Sequence, residues 1–137
     1  MGRALAAADY GTVLLIDDDP ELRAMLQRFL ESKGLQVSAA AGGHEGLARM
    51  RTGRFDLVIL DIVMEKGEGI ETVGEIKQQA QAPAIIGMSG FPDYLPLMRR
   101  MGADATLAKP FTMDELWRAI GDLPARDESA MQKERDL

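Results

Sequence analysis

The chain's 137 residues are 46% hydrophobic and 28% charged, the profile of one globular domain with a true core, which excludes a disordered chain. With 16 basic and 22 acidic side chains the net charge is −6, which disfavours nucleic acid and anionic membrane and favours a cation or a basic partner. The absence of cysteine excludes disulfides, zinc–thiolate centres and thiol nucleophiles and agrees with a reducing compartment.

The first strand is TVLLI from Thr12, and it runs straight into Asp17, Asp18 and Asp19. The next segment predicts the clearest helix of the chain, because Leu22, Met25, Leu26, Phe29 and Leu30 recur at helical spacing until Gly34 stops it. A weaker strand, LQVSAA from Leu35, precedes a helix over 43–52 that turns Leu47 and Met50 inward and ends at Gly53. The third strand is FDLVIL from Phe55, followed by a helix over 69–80 with Ile70, Val73 and Ile76 apolar. PAIIGM from Pro83 is the fourth strand, and a helix over 93–101 closes at Gly102. The fifth strand is ATLA from Ala105; the last helix, TMDELWRAIGDL, opens with Thr112 and Glu115 spaced as a capping box and buries Leu116, Ala119, Ile120 and Leu123.

Strand and helix therefore alternate five times, and near-continuous apolar strands predict an α/β fold with a parallel sheet covered on both faces by helices. The expected layout is an N-terminal extension over 1–11, one domain over 12–123, and a charged tail or helix extension over 124–137. With no second domain after it, a stand-alone protein is expected. No apolar run approaches the roughly 18 residues of a membrane span, and the opening MGRALAAADYG fits neither a signal peptide nor a myristoylation signal. The expected location is the cytoplasm.

In a parallel sheet of this kind ligands sit outside the carboxyl ends of the strands. Asp17, Asp18 and Asp19 follow the first strand, Asp61 the third, Ser89 the fourth, and Lys109 with Pro110 the fifth. Taken singly, each has an ordinary role as a helix cap, a turn residue or a surface cation. Together they predict three carboxylates, a hydroxyl and an ammonium converging on one pocket, with Asp19 capping the first helix. Two like charges about 4 Å apart repel by roughly 4 kcal/mol at an effective dielectric near 20, so such a cluster needs a cation, a wide opening to solvent, or both. Mg²⁺ suits it, because that ion takes a few carboxylates plus waters.

The motifs VLLIDDD, FDLVILDIVM, MSG and KPF stand in this order, with Asp17, Asp61, Ser89 and Lys109 separated by 44, 28 and 20 residues. In this the chain resembles the receiver domain of two-component response regulators, the CheY-like superfamily, from Thr12 to about Leu123. The resemblance implies a flavodoxin-like, doubly wound, five-stranded sheet of order 2-1-3-4-5. It makes Asp61 the acceptor of a phosphoryl group from a phosphohistidine. Asp18 becomes the direct metal ligand, Asp17 the acid that reaches the metal through water, and Val63 a ligand through its backbone carbonyl. Lys109 pairs with Asp61 and then with the phosphoryl oxygens, to which Ser89 donates.

By the same resemblance the cofactor is Mg²⁺, with Mn²⁺ as a substitute, and the donor is a sensor histidine kinase or a histidine phosphotransfer protein. The downstream partner is a protein target, and the face from the fourth to the fifth helix is a candidate homodimer surface. Such a protein is a signalling phosphoacceptor that takes part in its own phosphorylation and dephosphorylation, and not an enzyme. A cis Lys109–Pro110 bond is also implied.

Two places depart from the family pattern. Met64 is followed by EKGEG where Met-Pro is common, which adds Glu65 and Glu68 near the metal and, with Gly67, loosens the loop. Thr106 replaces the switching aromatic residue, and Phe91 or Tyr94 is expected to take up its role. Two alternatives compete: an interaction module that keeps the fold without phosphorylation, and a small Mg²⁺-dependent phosphohydrolase of the haloacid dehalogenase type using Asp17 and Asp19. Glu21 stands where the latter motif needs Thr or Val. His44, the single histidine, is expected in solvent with no relay role, the methionines as core fillers, and Trp117 facing either solvent or a partner.

Overall fold

The computed structural model describes residues 10–62 and 69–123. In chain order the elements are β1 (Thr12–Ile16), α1 (Pro20–Ser32), β2 (Gln36–Ala40), α2 (Gly43–Thr52), β3 (Leu57–Asp61), α3 (Gly69–Lys77), β4 (Ala84–Ser89), α4 (Tyr94–Met101), β5 (Ala105–Ala108) and α5 (Met113–Gly121). The strands pair in parallel in the order β2-β1-β3-β4-β5, as the resemblance implied. Every residue of β3 is buried, which explains its unbroken apolar run: a central parallel strand has no solvent face.

Alternate residues of each strand serve two cores. Val13, Leu15, Leu57 and Ile59 point towards α1 and α5, where they meet Leu26, Leu30, Leu116 and Ile120. Leu14, Ile16, Val58 and Leu60 point towards the opposite helices and meet Val73, Ile76 and Met98. Full burial of one such side chain contributes about 1.5–3 kcal/mol, so these two layers supply the driving force for folding.

Helix ends follow their local chemistry. The Asp19 carboxylate accepts from the Glu21 and Leu22 N–H groups at 3.0 and 3.3 Å, and Pro20 starts α1 where a missing N–H costs nothing. Thr112 and Glu115 form the expected capping box of α5. Gly102 ends α4 at φ 119°, a backbone conformation that glycine adopts without strain.

Two expectations are corrected. α3 ends at Lys77 and not at Ala80, because its apolar stripe stops at Ile76 and residues 78–80 have only solvent to face. Met25 is 45% exposed, since one residue is about 100° of helix turn and this step carries it out of the stripe centred on Leu26 and Leu30. Trp117 is partly exposed, and its ring packs edge-on against Phe29 of α1 at 6.3 Å, with the Lys33 ammonium over both rings. His44 is exposed, as expected.

The strand registers set the positions of the tips. Ile16 lies opposite Leu60, so Asp17 and Asp61 leave neighbouring strands at the same level. This is where the strand order reverses, the crevice in which doubly wound sheets bind ligands. Gly69 supports that edge, because a Cβ there would overlap the backbone of Ile62, the residue after Asp61. Gly69→Ala is expected to lower the unfolding free energy by about 1–3 kcal/mol, read from the midpoint of urea denaturation.

Candidate functional site

At the carboxyl edge of the sheet the Lys109 ammonium donates to Asp17 Oδ2 and to Asp61 Oδ2, both at 2.9 Å. Asp17 is fully buried and Asp61 is 6% exposed, so this cation is what permits two carboxylates to share a poorly solvated place. The other Asp17 oxygen, Oδ1, accepts from the Asp19 N–H at 2.9 Å. Asp18 is exposed and completes the group: one carboxylate oxygen from each of Asp17, Asp18 and Asp61 lies within 4.8 Å of the others. Three carboxylates and one ammonium leave two net negative charges, and the donors are all hard oxygens. A magnesium-like dication fits that set in charge and in donor type.

Burial pushes the Lys109 pKa down, but its hydrogen bonds with Asp17 and Asp61 and their attraction outweigh this, and the value stands above the usual 10.5. The amine therefore keeps its charge through the neutral range and serves as a fixed cation, not as an acid or base. The stability it contributes is fully present below the unfolded-state pKa and is lost as pH rises through the higher folded-state value.

Ser89 ends β4 fully buried. Its hydroxyl accepts from the Phe91 N–H at 2.9 Å and lies 3.2 Å from the Phe91 carbonyl, to which it donates. The Lys109 N–H donates to the Ser89 carbonyl at 2.8 Å, so β4 and β5 end together. The Lys109–Pro110 bond is cis, as implied. Val63 lies outside the described residues, as do Met64, Glu65, Gly67, Glu68 and the tail.

All five side chains expected at the strand ends stand at one edge, and four of them, Asp17, Asp18, Asp61 and Lys109, form one cluster. Two features were not expected from the sequence: the second Lys109 contact, to Asp17, and the attachment of Ser89 to the loop that follows it. The order of the motifs places these residues at one edge but does not reveal which carboxylate oxygen an ammonium selects. Asp17, buried with both oxygens engaged, is poorly placed as a nucleophile, and Asp19 is spent on the α1 cap. Both observations oppose the dehalogenase-type alternative.

The model of the family described as the response regulator receiver domain matches residues 13–121. The chain belongs to that family. Among curated relatives, this receiver domain is 38% identical over 112 residues to the probable C4-dicarboxylate response regulator DctR of Bacillus subtilis, covering 79% of this chain and 50% of that one. It is 35% identical over 123 residues to the transcriptional regulatory protein CpxR of Klebsiella pneumoniae, covering 89% and 53%. The receiver domain thus spans about half the length of these relatives. Among solved structures, the chemotaxis response regulator CheY4 of Vibrio cholerae matches with TM-score 0.72 and 31% identity over 80% of this chain and 98% of that one. The response regulator TrrA of Thermotoga maritima, solved in complex with Mg²⁺ and BeF, matches with TM-score 0.71 and 34% identity over 78% and 93%. No helix among the described residues of the receiver domain is long and apolar enough to cross a membrane.

Lys109→Ala leaves Asp17 and Asp61 facing each other without a cation. In metal-free buffer the variant is expected to lose about 1–3 kcal/mol of stability by urea denaturation, a figure kept modest because the lysine is partly solvated. That difference is expected to hold between pH 7 and pH 9, which bracket neutrality well below the lysine pKa, and to shrink above about 10.5.

Proposed function

We propose that this receiver domain is a phosphoacceptor switch in which Asp61 takes a phosphoryl group from a phosphohistidine on a sensor histidine kinase or histidine phosphotransfer protein. The observation that carries this reading is the Lys109 ammonium shared by Asp17 and Asp61, with Asp18 beside them. An Asp61 carboxylate oxygen attacks phosphorus, the P–N bond to the donor imidazole breaks, and its electron pair stays on that nitrogen. Asp18 and Asp61 would hold Mg²⁺ directly and Asp17 through water, since both Asp17 oxygens already accept hydrogen bonds. Mn²⁺, another hard dication, suits the same donors. The bound dication supplies charge neutralisation for the phosphoryl oxygens.

Lys109 then exchanges its Asp61 contact for a phosphoryl oxygen while Asp17 keeps hold of it. The Ser89 hydroxyl donates a hydrogen bond to another phosphoryl oxygen and so gives up the Phe91 carbonyl. The loop after β4 moves with it, carrying Phe91 and Tyr94, which are 59% and 38% exposed and packed edge-on at 6.2 Å. A protein target, chosen by the rest of the signalling system, would read that change.

The test is incubation with Mg²⁺ and acetyl phosphate, with the adduct trapped by borohydride and mapped by peptide mass spectrometry. Label at Asp61, dependent on the metal and absent from Asp61→Asn, is expected; a folded wild-type chain that takes no label would show an interaction module, and label at Asp17 with turnover a hydrolase. A second measurement follows the loop. Beryllium fluoride with Mg²⁺ is expected to shift the Phe91 and Tyr94 amide resonances, and in Ser89→Ala the adduct is expected to form with those shifts largely lost.

A further inference from the structure

We propose that Arg23 is a positioning residue for the metal-binding acids, fixing the peptide that joins Asp17 to Asp18; this rests on the reading of that cluster as a Mg²⁺ site. Arg23 stands on the second turn of α1, and its guanidinium Nη1 donates to the Asp17 carbonyl at 2.7 Å. A contact this short from a charged donor is among the stronger hydrogen bonds a backbone carbonyl receives.

The location of that carbonyl gives the contact its meaning. β1 ends at Ile16, and the Asp17 N–H still reaches the Ala40 carbonyl at 3.1 Å, so the sheet fixes the chain as far as the Asp17 nitrogen. The carbonyl belongs to the next peptide, from which the Asp18 side chain departs. Asp17's carboxylate is anchored independently by Lys109 and by the Asp19 N–H. The way the Asp17–Asp18 peptide is turned sets the region that the exposed Asp18 carboxylate can reach. Arg23 holds that peptide from outside the sheet.

A charge beside the neighbouring loop attracts the same side chain. Glu45 of α2 accepts from the Ala41 N–H at 3.0 Å and from Arg49 at 3.2 Å. Its carboxyl is held below the ordinary range by Ala41 first and then Arg49, with a smaller attraction from Arg23. Arg23 thus holds the Asp17 carbonyl directly and lies near enough to Glu45 to attract it weakly.

Charge and position give opposite signs for its effect on the metal. As a charge alone, Arg23 repels a dication, and removing it would tighten Mg²⁺ binding. As a positioning residue it holds Asp18 in place, and removing it weakens binding. Outer-shell partners of metal ligands commonly change metal affinity by tenfold or more.

The experiment is calorimetric titration of the full chain with MgCl₂ at fixed ionic strength, for wild type, Arg23→Ala and Arg23→Lys. It is paired with the Asp17 carbonyl and Asp18 amide resonances recorded without metal. The proposal expects Arg23→Ala to bind Mg²⁺ roughly tenfold more weakly, Arg23→Lys to regain most of that loss, and the two resonances to move in the alanine variant before any metal is added. Unchanged or tighter binding in Arg23→Ala, or unmoved resonances, overturns it. If the alanine variant does not fold, Arg23→Met, which keeps the side-chain bulk without the donor, decides by the same two readouts: weaker binding with moved resonances supports the proposal, and unchanged or tighter binding, or unmoved resonances, overturns it. A wild-type chain that takes up no Mg²⁺ would instead bring down the reading of the cluster as a metal site, and the positioning role with it.

Discussion

The site depends on one ammonium lying between two buried acids. Lys109 reaches Asp17 and Asp61 at 2.9 Å each, and without it two carboxylates on adjacent parallel strands would face each other with little water to screen them. The bridge lets the acids stand close together, and with the exposed Asp18 it leaves the pocket short of two positive charges. A fixed cation that keeps its proton near neutrality thus sets both the stability of the acid cluster and its appetite for a dication.

The sheet register makes this geometry inexpensive. The register sets Ile16 level with Leu60 and Gly87, and Asp61 level with Met88, so β1, β3 and β4 end within two residues of one another, and the pairing of Ser89 with Ala108 puts Lys109 one residue beyond the end of β5. Gly69 lets α3 approach the backbone of Ile62, the residue after Asp61. On the far side of β4, Thr106 pairs with Gly87, and a Cβ at Gly87 would overlap the buried Met98. Methionine from α4 therefore fills the space beside a strand position that holds a small polar residue. The large exposed aromatics stand elsewhere, at Phe91 and Tyr94, on the loop tied to Ser89.

Much of this was legible in the sequence, for identifiable reasons. Unbroken apolar runs such as VLLI and LVIL can be satisfied only by strands buried on both faces, and that condition fixes the parallel sheet and the edge at which to search for the site. The caps of α1 and α5 could be read because they are local: an acceptor side chain and an N–H two or three residues on. Met25 and the end of α3 could not be read, since periodicity marks a stripe but not its centre or the point where the facing core runs out. Long-range polar choices were hidden too. That Lys109 divides itself between two acids, that Ser89 turns to its own loop and that Arg23 reaches back to the Asp17 carbonyl all depend on three-dimensional placement that spacing alone does not encode.

The most direct test of the central claim is a crystal structure of the chain with Mg²⁺ and beryllium fluoride. The account predicts beryllium bonded to an Asp61 carboxylate oxygen, the metal against Asp18 and Asp61, and the Lys109 ammonium moved onto a fluoride while still touching Asp17. Beryllium fluoride on another residue, or a metal seated without displacing Lys109 from Asp61 in a fully occupied adduct, would contradict it.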